Sequence, residues 1–494
     1  MNRPLRHIAI FCGLLMLALL IRTNWLQFAK SEELATHEHN RRVKITQFAT
    51  PRGDIIVNGE AITGSKEVSG TDFKYQRTFK DGAMYAPVTG YASQAQGMSL
   101  LEKTYDSVLS GQDERFAFSN AKDILTGEER RGGDVITTID PKAQKAAYKG
   151  LTDLDARGAV VALDPATGKV LALVSTPSYD PSVFAGNSFK EGDKFQSLVD
   201  AKSKPLANRP LRETFPPGST FKILTAAAAL EHGVVTDVDA ATDAASPYKL
   251  PLSSNTISSE AGDRTCNKAS FKTAMQFSCN NVFLDAASEL GDDRMRETAE
   301  KFGFNSDVYS EDFGDMLATK SLYPAELDKP GTALTGMGQG SLTSTPMQMA
   351  MVTAALANDG KLMQPYIVDE LRGPDVSTLE KHEPKLKSQA VSEDTAKKVQ
   401  EMMEFTAREG SAKRALIDGV TVGGKTGTAQ RGDDVTKEVP YGWFVSYGKK
   451  PDGQSVAVAV FIDPTAMDIS REDISGGGLG GPIARDVMKA VLGK

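Results

Sequence analysis

Two stretches of extended-chain patterning stand far apart in this chain of 494 residues. Residues 159–163 and 169–175 are apolar β-rich runs around the turn Asp164-Pro165-Ala166-Thr167-Gly168, and they read as a hairpin. Residues 420–430, 443–447 and 455–462 form three more runs, the last two joined across Lys449-Lys450-Pro451-Asp452-Gly453. Helical patterning fills much of the interval: 221–232 stopped by Gly233, 347–358 stopped by Gly360, and 392–408 stopped by Gly410. A last helix, opened by Pro482, puts Ile483, Val487 and Val491 on one face. This order predicts one antiparallel sheet closed by distant chain segments, with helices on its faces and a mostly helical insert between.

The N-terminus says where such a domain works. Arg3 and Arg6 precede an unbroken apolar run from Ile8 to Ile21, which is followed by Arg22, Trp25 and Phe28. The run is shorter than the roughly 20 residues that span a bilayer, so a cleaved signal peptide is the alternative to an anchor. No Ala-x-Ala cleavage site closely follows Ile21, Arg22 can snorkel, and Trp25 suits the membrane interface, which together favour an uncleaved helix. With both arginines ahead of the span, the positive-inside rule keeps the N-terminus cytoplasmic and exports the chain beyond about residue 30.

From residue 32 to about 155 the sequence is polar and interspersed with glycine, with short extended pieces at 42–48 and 54–57, and it predicts a small strand-rich module. Arg52-Gly53-Asp54 matches an adhesion tripeptide, but a turn between strands is the plainer reading of so short a match. The net charge is −7 and no long basic run occurs, so no nucleic-acid partner is expected. Three cysteines and five histidines without CxxC or HExxH spacing argue against a metal site, and no cofactor is expected.

The chemistry gathers in three short motifs. Pro216-Pro217-Gly218-Ser219-Thr220-Phe221-Lys222 sets a serine at a helix mouth with a lysine three residues on, and i and i+3 share a helix face. A hydroxyl becomes a nucleophile when a base takes its proton, and a lysine is that base only when neutral, a state that burial and a second cation both favour. The helix N-terminus adds a backbone N–H pointing where an oxyanion forms. Taken alone, Ser-x-x-Lys recurs by chance, and an ordinary N-cap serine is the bland alternative. Ser278-Cys279-Asn280, in the helical insert, offers a hydroxyl and an amide two positions apart. Lys425-Thr426-Gly427-Thr428, on a strand, offers the second cation, hydroxyls for a carboxylate, and a glycine that lets a chain pack closely. In this order and on these local structures, the three motifs are specific together.

On these motifs the chain resembles the penicillin-binding proteins and serine β-lactamases, which share Ser-x-x-Lys, Ser-x-Asn and Lys-Thr-Gly. The resemblance covers about residues 134–494. Asp134-Val135-Ile136-Thr137-Thr138-Ile139-Asp140, Gly338-Gln339-Gly340 and Trp443-Phe444 make the chain similar to the class B transpeptidases. Arg52-Gly53-Asp54-Ile55 resembles the motif opening that class's N-terminal module, whose shortness here is similar to the A-type class B proteins of actinobacteria. The resemblance implies an α/β chain with the penicillin-recognising serine transpeptidase fold: a five-stranded antiparallel sheet flanked by helices, plus an all-helical subdomain. It also implies a division into a cytoplasmic N-terminus and transmembrane anchor over 1–30, a non-catalytic dimerisation or pedestal-like module over 31–155, and the transpeptidase domain over 156–494.

The activity implied is that of a D,D-transpeptidase that cross-links peptidoglycan stem peptides and is inhibited by β-lactams. Carried over by motif, Ser219 attacks the D-Ala-D-Ala carbonyl of the donor and Lys222 is the general base. Ser278 relays a proton to the leaving D-Ala, Asn280 holds the peptide, and Lys425 supplies the field. Thr426 and Thr428, with Gly427 between them, bind the terminal carboxylate, and the backbone N–H groups of Ser219 and Thr428 form the oxyanion hole. An amine from a second stem peptide accepts the acyl group. Membrane proteins of septation or elongation are the implied partners.

Rival readings are weaker. Gly419-Val420-Thr421-Val422-Gly423-Gly424-Lys425-Thr426 satisfies the Walker A pattern literally, but Gly427-Thr428-Ala429-Gln430-Arg431 cannot start the helix that a phosphate loop needs. A class A β-lactamase needs a deacylating glutamate, and no Glu-x-x-Leu-Asn stretch occurs. The span between anchor and catalytic region is too short for a glycosyltransferase domain. A D,D-carboxypeptidase differs only in letting water accept the acyl group, which these motifs do not decide. A non-catalytic β-lactam sensor is expected to carry more than one membrane span. Cys266 and Cys279, the two cysteines beyond the anchor, are either two buried thiols or a disulfide. The bridge is favoured, because closing so short a loop contributes on the order of 3 kcal/mol and steadies the segment bearing Ser278 and Asn280.

Overall fold

The computed structural model describes residues 3–36, 41–116, 130–307, 313, 318–431, 438–470 and 474–494; His37 and His39 lie outside them. The distant strands do join. One fully antiparallel sheet runs in the order Thr421–Ala429, Tyr441–Lys449, Ser455–Asp463, Arg157–Leu163, Val170–Thr176. Its central pairing, Val160 opposite Val460, unites the first and last thirds of the chain. The strands are buried on both faces, and side-chain alternation splits them between two cores. Val160, Ala162, Val458, Val460 and Phe444 pack with the helices Pro141–Asp153 and Gly476–Leu492. Ala159, Val161, Val445, Ala459 and Phe461 face the helical side, where Pro346–Ala357 is buried along its whole length and is correspondingly apolar all round.

A second five-stranded sheet underlies the N-terminal module: Thr378–Lys381, Val368–Arg372, Asp134–Thr137, Ile55–Val57, Glu60–Ala61. Two of its strands come from beyond residue 360, so the chain returns from the helical insert to complete the module's sheet, with Leu371 opposite Val135. The Asp134-Val135-Ile136-Thr137 stretch thus sits at the joint, paired parallel to one strand and antiparallel to the other.

Two local expectations are corrected. Residues 42–48 are not extended: Arg41–Gln47 is a helix, which seats Phe48 against Phe73 and Ala92. The last helix begins at Gly476, capped by Ser475, and not at Pro482. Proline has no N–H for the Gly478 carbonyl four residues back, and Arg414 Nη1 donates to that carbonyl instead, at 3.1 Å. At the other end of the chain, Arg3–Ala29 is one apolar helix of 27 residues, none of them buried, long enough to cross a membrane. The Arg22 guanidinium lies over the Trp25 ring at 4.6 Å.

Candidate active site

Ser219 stands in the short turn Gly218–Phe221 that leads directly into the helix Lys222–Glu231. Gly218 has φ of +53°, and a Cβ there would meet Ala429 and the Thr428 carbonyl at 3.0–3.1 Å, so the serine turn is pressed against the Lys425-Thr426-Gly427-Thr428 strand. Gly427 allows the same approach from the other side, since a Cβ on it would stand 2.9 Å from Thr220. Lys222 is fully buried one turn below Ser219.

Ser278 ends the helix Phe271–Phe277 in the left-handed region, at φ of +58°, and this turns the segment so that carbonyl, hydroxyl and the Asn280 amide converge. Lys222 Nζ donates to Ser278 O at 2.7 Å, Asn280 Oδ1 at 2.8 Å and Ser278 Oγ at 3.2 Å. Cys279 between them is bonded to Cys266, with both residues buried and their Cα atoms 5.4 Å apart. Asn281 braces the bridge by donating to the carbonyls of Cys266 and Ala244 at 2.8 Å.

Lys425, on the edge strand Thr421–Ala429, is also fully buried. Its Nζ donates to Ser278 Oγ at 2.9 Å and to the Thr426 carbonyl at 2.9 Å. Both lysines therefore converge on one hydroxyl, drawn from three chain segments. Among the described residues Ser219 Oγ has no hydrogen-bond partner, and it faces a groove of about 1000 Å³ that Ser278, Asn280, Thr426 and Thr428 also line. Thus every candidate site residue lies at this groove or directly beneath it.

Residues 158–489 match the penicillin binding protein transpeptidase domain, and residues 52–135 match the penicillin binding protein A dimerisation domain. The chain belongs to the penicillin-binding protein transpeptidase family. It is 34% identical to the peptidoglycan D,D-transpeptidase PbpA of Mycolicibacterium smegmatis over 100% of this chain and 99% of that one. Penicillin-binding protein A of M. tuberculosis, solved as a ceftriaxone acyl-enzyme, superposes with a TM-score of 0.84 at 34% identity, covering 91% of this chain and 100% of that structure. The D,D-transpeptidase domain of a peptidoglycan glycosyltransferase from Eggerthella lenta gives 0.74 at 29% identity, covering 90% and 99%.

In this family member the electrostatics of the two lysines are unequal. Burial pushes the Lys222 ammonium well below its ordinary pKa, and the neighbouring Lys425 lowers it further. Lys425 is lowered to about 7, again by burial. Among the groove-lining residues that sequence reasoning did not single out are Glu260, Ser411, Lys413 and Arg414. Ser411 Oγ pairs with Thr426 Oγ1 at 2.9 Å. The run Ser475-Gly476-Gly477-Gly478, also at the groove, did carry a signal: a helix-capping serine before glycines that admit close packing.

Proposed function

We propose that this penicillin-binding protein is a membrane-anchored D,D-transpeptidase that acylates itself on Ser219 with the D-Ala-D-Ala end of a peptidoglycan stem peptide and passes the acyl group to an amine. The observation that carries this reading is the unpartnered Ser219 hydroxyl at the groove, above two buried lysines that share Ser278 Oγ. Lys222, whose neutral form burial favours, takes the Ser219 proton as Oγ attacks. The Ser219 and Thr428 backbone N–H groups stabilise the oxyanion. Ser278, in reach of both Nζ atoms, hands the proton to the departing D-Ala nitrogen, while Asn280 holds the donor peptide. Lys425, Thr426 and Thr428 receive its carboxylate, and Gly427 keeps that strand close to the serine turn. A β-lactam enters by the same route and leaves a long-lived acyl-enzyme.

Residues 1–30 serve as anchor with the N-terminus cytoplasmic, 31–155 as a non-catalytic module and 156–494 as the transpeptidase domain, working beside septal or elongation proteins. The exposed apolar helix Arg3–Ala29 supports this placement. Mass spectrometry of the penicillin-treated full-length chain tests the core of the reading. The adduct is expected on the peptide bearing Ser219 and is expected to vanish in Ser219→Ala. An adduct on another residue, or one surviving in Ser219→Ala, overturns the assignment.

A further inference from the structure

Glu260 is the one carboxylate among the described residues lining the groove. It is exposed, and it forms neither hydrogen bond nor ion pair with any described residue. Yet the loop bearing it is not slack. The buried Ser259 accepts a hydrogen bond from the Asn280 N–H at 2.8 Å, and the Ser258 carbonyl accepts one from Asn280 Nδ2 at 3.0 Å. The chain thus pins a free carboxylate to the same segment that carries Ser278 and Asn280. The groove's exposed cations, Lys413 and Arg414, belong to the short turn Lys413–Ala415, which packs on the C-terminal helix, and Arg414 holds Gly478 at that helix's first turn. The groove, which Leu334, Met337 and Ile474 also line, therefore has cations beside the C-terminal helix and an anion beside Asn280.

That anion works against base catalysis, because its charge opposes the lowered proton affinity of Lys222 and of Lys425. It does nothing for a donor, whose end is a carboxylate. What it favours is a cation, and the second substrate brings one, since an alkyl amine with a pKa near that of lysine, about 10.4, arrives as an ammonium.

We infer that Glu260 is the acceptor-side binding residue of this groove, collecting the cationic amine of the second substrate beside the acyl-enzyme. The inference rests on the transpeptidase reading above. The ammonium first gives a proton to neutral Lys222. The freed amine then attacks the ester carbonyl, forming a C–N bond, the C–Oγ bond to Ser219 breaks, and Oγ recovers a proton through Lys222. The net products are an amide, a free serine and the one proton that the ammonium brought. Water, the competing acceptor, is uncharged and gains nothing from Glu260. The carboxylate thus biases the acyl-enzyme toward aminolysis over hydrolysis.

The test uses the full-length chain in detergent, a small D-Ala-thioester donor, and two acceptors: lysinamide, which is cationic, and hydroxylamine, which is uncharged at neutral pH. In Glu260→Gln, aminolysis by lysinamide is expected to fall about fivefold through the acceptor's apparent KM, with the loss fading at about 1 M salt. Hydrolysis, hydroxylaminolysis and penicillin acylation are expected to persist and to rise together, because losing the carboxylate also eases deprotonation of Lys222, so the partition between lysinamide and the uncharged acceptors is what reads Glu260 as a binding residue. Glu260→Asp should recover most of the lysinamide rate, and Glu260→Lys should lower it further. An unchanged partition, or equal losses with both acceptors, overturns the inference. If the unsubstituted chain fails to acylate at all, the transpeptidase reading is what falls.

Discussion

In the N-terminal module, Arg52 and Arg77 meet the Glu102 carboxylate at 3.1 and 2.6 Å, all three buried, and Arg52 also pairs with Asp106 at 2.6 Å. In the active site, Lys222 and Lys425 are as deeply buried, but every oxygen they bond is neutral: two carbonyls, one shared hydroxyl and the Asn280 amide. The first arrangement keeps its charges and uses them to tie the chain that follows the N-terminal helix to the module. The second withholds compensation, so desolvation favours giving up a proton. The side chains suit the tasks. Burial lowers the Arg77 pKa as well, but a guanidinium stays protonated at any accessible pH, whereas a lysine can become a base.

Placing a permanent charge in the uncompensated site breaks the contrast most sharply. Lys222→Arg is expected to slow penicillin acylation about 10³-fold, the loss of a general base, as read by the rate of fluorescent penicillin labelling. A residual rate within about tenfold of the parent rejects Lys222 as base. Removing the compensating charge from the other site comes next. Glu102→Ala leaves Arg77 buried without its nearest carboxylate and should cost about 3 kcal/mol in denaturant unfolding, while the folded fraction labels at the parental rate. Slower labelling at unchanged stability would mean that the module acts on catalysis and not only on architecture.

The smallest effect sharpens the division between the two lysines. Lys222 is lowered by both burial and Lys425, and acylation climbs with pH as the neutral base appears. Lys425, lowered to about 7, then loses the charge that attracts the substrate carboxylate, and acylation declines above that pH. The profile should be bell-shaped, with limbs belonging to the coupled pair. Lys425→Arg should keep the rising limb, remove the decline, and lower the optimum rate less than about tenfold. A decline that persists in Lys425→Arg would assign that limb to another group.

Much of this architecture was legible because it is written in local periodicity. The runs that became Arg157–Leu163, Tyr441–Lys449 and Ser455–Asp463 are apolar and bounded by turn residues, and the helices Lys222–Glu231 and Glu393–Glu409 stop beside glycines. The motif residues were legible too, because their chemistry survives as residue type and order. Glu260 was not, since an acidic residue in a polar loop looks alike whether it faces a groove or open solvent. Nor was the strand Val368–Arg372 as a partner of Asp134–Thr137, because pairing across so many residues leaves no local trace.

The sequence by itself determined the five strands of the sheet that pairs Arg157–Leu163 with Ser455–Asp463, the three motifs, the apolar N-terminal run and the two cysteines able to bridge. Tertiary structure alone decided that the Gly478 carbonyl freed by Pro482 finds Arg414, and that the Cys266–Cys279 bridge is braced by Asn281. It also decided that both lysines meet at Ser278 Oγ, with Lys222 bonded to that segment and not to Ser219. The physical reason is range. Backbone preference and amphipathic period act within a few residues, whereas burial, and the proton affinity that follows from it, depends on which distant segments close over a side chain.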